Sequence, residues 1–144
     1  MEYEKKNAEH AVITQQIVLT TGLDGGYSLT LDLVENSDTL NFSGLGKVFQ
    51  AINPPLNVFS TVGGHILPLL VLGAPMPLYI GVGMGKSGCL TYENLEFEFQ
   101  LGNTKEAEGT GRFRFRDSMS GEWINVPNCK VQIESTSVDQ TKVA

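Results

Sequence analysis

Two alternating runs in the C-terminal half constrain this chain more than any other feature in it. Leu95, Phe97, Phe99 and Leu101 alternate with Glu96, Glu98 and Gln100, and Phe113 and Phe115 alternate with Arg112, Arg114 and Arg116. A period of two sends successive side chains to opposite faces of a strand, so each run has one apolar and one polar face. The polar faces carry opposite charge. An antiparallel register that sets Glu98 across from Arg114 also matches Glu96 with Arg116, Phe99 with Phe113 and Phe97 with Phe115, and all four pairs are favourable. A slip of one residue would set phenylalanines against arginines, so the register is strongly specified. The expectation is a hairpin with its phenylalanine face buried and its charged face in water, closed by a long acidic loop from Gly102 to Thr110.

The rest of the chain reads the same way. Ala11 to Thr21 is rich in β formers, Gly22-Leu23-Asp24-Gly25-Gly26 has the chemistry of a tight hairpin, and Tyr27 to Val34 alternates, with Leu29, Leu31 and Leu33 on one side. After a turn at Asn36-Ser37-Asp38, the stretch from Leu40 to Ile66 holds two strand-like runs on either side of Asn53-Pro54-Pro55. Proline cannot donate to a ladder and pushes its predecessor into extended geometry, so this is a reversal between neighbouring strands. Ile66 to Leu72 and Leu78 to Val82 read as two short apolar strands, Glu122 to Val126 as a strand carrying the only tryptophan, Pro127-Asn128 as a turn, and Cys129 to Glu134 as the last strand. The predicted architecture is all-β: one antiparallel β-sandwich or β-barrel of about nine or ten short strands, mostly hairpin-connected. With 144 residues there is material for one domain, placed at 11–135 between polar tails at 1–10 and 136–144.

Ile66 to Met84 is uncharged for nineteen residues, the length of a membrane span. Pro68, Pro75 and Pro77 argue against a transmembrane helix, each interior proline costing about 3 kcal/mol, and two buried strands fit better. A net charge of −6 argues against nucleic acid, whose phosphates need clustered cations. Met1 to His10 is polar without an apolar run, which points to the cytoplasm, where Cys89 and Cys129 are expected as unpaired thiols.

Motifs with chemical meaning are few. Gly83-Met84-Gly85-Lys86-Ser87-Gly88 matches G-x-G-x-x-G, but such a loop binds phosphate only where it opens a helix, and a β-patterned run follows. His10 and His65 lack a partner at metal-ligand spacing, and the glutamates at 93, 96, 98, 106 and 108 lack the oxygen spacing of a calcium loop. Neither a metal nor a cofactor is expected, and no catalytic set converges. Gly44 and Gly46 share one strand face and leave a strip where a ring or backbone could approach closely. With Phe42, Val48 and Phe49 they form a candidate lining for an apolar pocket. Trp123 is either an aromatic platform for a sugar or a core residue that closes the last hairpin, the core being favoured.

The run Ser43-Gly44-Leu45-Gly46-Lys47-Val48-Phe49-Gln50-Ala51-Ile52-Asn53-Pro54-Pro55-Leu56 resembles the pattern S-G-x-G-x-x-x-Q-A-x-N-P-P-L of a bacterial family catalogued as domain of unknown function 1842. Leu31 to Val34, Gly111 to Asp117 and Gly121-Glu122-Trp123 extend the likeness over about residues 28 to 134. The resemblance implies a bacterial source and a compact β domain, and no activity, cofactor or ligand comes with it. Two functions stay open. One is a non-enzymatic β scaffold for a protein partner or for self-assembly into a homo-oligomer. The other is a barrel that binds a small apolar ligand, as a carrier or a cofactor-free isomerase.

Overall fold

The computed structural model describes residues 9–22, 25–52, 56–71, 74–84, 96–104, 107–117 and 120–142. Eight strands run through them: β1 (Glu9–Thr20), β2 (Tyr27–Asn36), β3 (Asn41–Gln50), β4 (Leu56–Val71), β5 (Ala74–Gly83), β6 (Phe97–Thr104), β7 (Ala107–Arg116) and β8 (Trp123–Lys142). Each pairs antiparallel with the next, and β8 pairs with β1, so the sheet closes into an up-and-down barrel. Of the two architectures the sequence allows, the protein adopts the barrel, which leaves no sheet edge exposed around its circumference.

The β6–β7 hairpin has the register that charge and aromatic pairing demand: Phe97 opposes Phe115, Glu98 opposes Arg114 and Phe99 opposes Phe113. All four rings are buried, while the Arg114 Nε donates to Glu98 Oε2 at 2.8 Å on the outer wall. The strands run on to Thr104 and from Ala107, so most of the expected acidic loop is strand. β3 and β4 are antiparallel neighbours, with Gln50 opposite Leu56. The prolines between them, Pro54 and Pro55, lie outside the described residues.

Three stretches are more continuous than their sequence suggests. β4 passes straight through Gly63-Gly64 and Pro68, because the Gly64 site needs a residue without a side chain rather than a turn. Pro68 and Pro77 face each other where β4 and β5 extend past the last pairs with β3 and β6, so neither missing N–H interrupts a ladder on its outer side. Pro127-Asn128 is no turn between strands. Gly111 opposes Cys129 and Phe113 opposes Val126, so two residues of β8 lie against Arg112 alone, a β-bulge with Asn128 at φ 58°. β8 then continues to Lys142 along β1, through the stretch expected to be a polar tail.

An eight-stranded barrel has an interior just wide enough to be filled by side chains or to hold one small ligand. Here Ile17, Leu19, Leu29, Leu31, Phe97 and Phe115 are among the residues fully withdrawn from water. Glycines on β3, β4 and β5 make room for the rings. A carbon added at Gly46 would lie 2.7 Å from Phe97 Cζ, and one at Gly83 would lie 2.7 Å from Phe97 Cε2. The interior at this level is packed ring against backbone.

Candidate functional site

The inward face of β2 runs Leu29, Leu31, Leu33 and then Glu35, which is 4% exposed. Its carboxyl ends the apolar column near one mouth of the barrel. From β1, Gln15 Nε2 donates to Glu35 Oε1 at 2.5 Å and to the Tyr79 hydroxyl at 3.2 Å, so one amide ties β1, β2 and β5 together across the interior. The Tyr79 hydroxyl also donates to Glu35, and the Phe42 ring lies 5.7 Å from the Tyr79 ring. A buried carboxyl is costly unless hydrogen-bonded, and this one has two neutral donors. Burial raises Glu35 above the usual carboxylate range, against the opposing pull of both donors. Burial and the neighbouring Glu35 carboxyl raise the Tyr79 phenol.

The sign of the resulting pH dependence follows from linkage. A carboxyl whose folded value exceeds its unfolded one holds its proton more tightly when folded, so its stabilising contribution is complete below the ordinary carboxylate range. That contribution is lost as pH rises through the raised value. The stability of the protein relative to Glu35→Gln is therefore expected to fall over that window, read as urea midpoints from pH 4 upward. Parallel curves for the two proteins would rule out a buried titrating carboxyl.

The outer wall offers a different kind of site. Side chains of β5 to β8 surround a groove of about 570 Å³, with Ile80 and Val82 on one flank, Gln100 and Arg112 exposed, and Asn125 and Pro127 closing it at the bulge. The Glu98–Arg114 ion pair lies within it. Trp123 sits opposite Arg116 at the start of β8, half-buried on this wall and outside the core cluster, with the Arg114 guanidinium 4.5 Å and the Arg116 guanidinium 5.2 Å from its ring. The core position favoured for Trp123 from the sequence is not the one it takes, because its parity on β8 is that of the arginines.

The remaining candidates separate. Phe42, Gly46 and Val48 face the interior, where Gly46 lies under Phe97, Val62 and Leu31. At Gly44 an added carbon would collide with the Asp32 carbonyl oxygen of the adjacent strand. Phe49 faces outward beneath the Lys47 ammonium, 5.4 Å from its ring centroid. Thus the glycine strip does admit a ring, but that ring belongs to the protein. His65 Nδ1 and Asn41 Oδ1 are 2.7 Å apart on the exposed surface. Cys129 is a free buried thiol, pushed up to about 11 by burial, while Cys89 and most of the Gly83 to Gly88 loop lie outside the described residues.

Gln15, Glu35 and Tyr79 did not stand out in the sequence, yet parity alone could have found them. Gln15 shares the face of Ile17 and Leu19, Glu35 that of Leu33, and Tyr79 that of Gly81. No helix among the described residues is long and apolar enough to cross a membrane. A search of curated proteins returned no match. A family model described as domain of unknown function (DUF1842) matches residues 11–123, from the first strand of the barrel to the tryptophan on its outer wall. Since that match spans most of the chain, the protein belongs to the DUF1842 family.

Proposed function

We propose that this protein is a non-enzymatic interaction module, a rigid barrel that recognises its partner on the outer wall. The packing of Phe97 onto Gly46 of β3 and Gly83 of β5, and of Phe99 onto Gly81 of β5, carries this reading, because it fills volume that a carrier would keep for its ligand. The free Cys129 thiol supports a reducing compartment, the bacterial cytoplasm. Native mass spectrometry of the purified protein tests the reading. The chain mass or a multiple of it is expected without a bound small molecule, and a stoichiometric apolar ligand would overturn the reading in favour of a carrier.

Self-assembly is the form of this reading favoured by the wall of β3 and β4. Leu45 is 61% and Phe59 is 67% exposed on adjacent strands, with Lys47 over the Phe59 ring. Exposed apolar side chains clustered on one wall mark association surfaces. Phe59→Ser is expected to shift a concentration-dependent oligomer toward monomer in light scattering while changing stability by no more than about 0.5 kcal/mol, as for other exposed positions. A wild-type protein that stays monomeric at every concentration would exclude self-assembly and leave a different protein as the partner.

A further inference from the structure

We propose that the groove across β5 to β8 binds a short acidic segment of a partner protein, an inference that rests on the reading of the barrel as an interaction module. All three arginines of a chain with net charge −6 stand on one strand, at the outward positions 112, 114 and 116 of β7. The bulge at Pro127-Asn128 lies directly across from Arg112 and supplies the far flank of the groove. Asn128 there holds φ 58°, a left-handed conformation that asparagine tolerates. Bulges of this kind bend a strand and re-aim its side chains.

Two of the three arginines are held before any partner arrives. Arg114 is held between Glu98 and the Trp123 ring, and Arg116 lies over that same ring. Ordering in advance reduces the entropy lost on binding. Since Arg114 offsets the charge of Glu98, the exposed Arg112, beside Gln100 and Asn125, sets the character of the groove. A guanidinium fork matches a carboxylate, and the two amides add donors. Ile80 and Val82 give the aliphatic stem of a glutamate an apolar flank. Four strands at the usual spacing span about 14 Å, the length of about four extended residues.

The chain has one tryptophan, and it stacks on the groove arginine Arg114, so its fluorescence reports on occupancy. The probe is a capped tetraglutamate peptide, titrated by fluorescence and by isothermal calorimetry, beside capped tetraglutamine, capped tetralysine and glutarate. Saturable binding of tetraglutamate is expected, weakened by salt and at least tenfold weaker in Arg112→Glu, with no loss in Lys142→Glu at the far end of β8. Unchanged thermal midpoints show that both variants are folded. Absence of binding up to millimolar peptide by both methods would overturn the proposal, as would an equal response to tetraglutamine or tetralysine, or an equal loss in Lys142→Glu. Equal affinity for glutarate would overturn the peptide assignment. None of these results bears on whether a small molecule copurifies, so the interaction-module reading stands or falls separately.

Discussion

Phe113→Ala is expected to lower the free energy of unfolding by about 3–5 kcal/mol, whereas Arg114→Glu, one residue along β7, is expected to cost only about 1–2 kcal/mol. Phe113 is 3% exposed, opposite Phe99 in the ladder and 6.5 Å from the Phe115 ring, so truncation removes buried area and leaves a cavity whose lining cannot close. Arg114 is on the other face of the same strand, where reversal of its charge sets two carboxylates across the ladder and removes a stacking contact with Trp123. Water screens much of that cost. Urea unfolding at constant m would separate the two variants clearly. Equal, small losses from both would mean that the barrel interior is not the source of the protein's stability.

The same strand shows why part of the fold was legible in the sequence. The β6–β7 register satisfies period-two alternation, charge pairing and aromatic pairing at once, and each of these is visible in neighbouring residues. Barrel closure has no such local signal. It depends on β8 pairing with β1 across almost the whole chain, and the Ser135–Lys142 end of β8 has the polar composition of a tail. The continuity of β4 through Gly63-Gly64 was illegible for a related reason: sequence shows that a side chain is missing but not which ring fills its place. The candidate sites divide along the same line. The three arginines share a face by parity alone, but the groove beside them depends on a bulge that brings Pro127 opposite Arg112. Glu35 was hidden because a polar residue on the inward parity of β2 looks like the end of a strand until Gln15 and Tyr79 are known to meet it.

Gly64→Ala is expected to cost about 2–3 kcal/mol, at the upper end of overpacking effects. Gly64 and Gly81 face each other across β4 and β5, beneath the rings of Phe42 and Phe99. The two positions differ in what a new methyl group would meet. At Gly81 it would lie 2.5 Å from Phe99 Cζ and 2.8 Å from Phe42 Cζ, both of them ends of side chains that can tilt or be shortened. At Gly64 it would collide with the end of the Phe42 ring and with the Ile80 carbonyl oxygen, and lie 2.7 Å from Gly81 Cα, so the main chain of β5 must move even where the ring gives way. Moving it disturbs the ladder on both sides, to β4 and to β6. Double variants distinguish the mechanisms. Phe99→Leu should relieve part of the cost of Gly81→Ala, a favourable coupling between residues in contact, and should leave the cost of Gly64→Ala unchanged. Strict additivity in both pairs would show that ring packing does not explain the glycines of β5, and with it would go the main physical reason for regarding this barrel as filled.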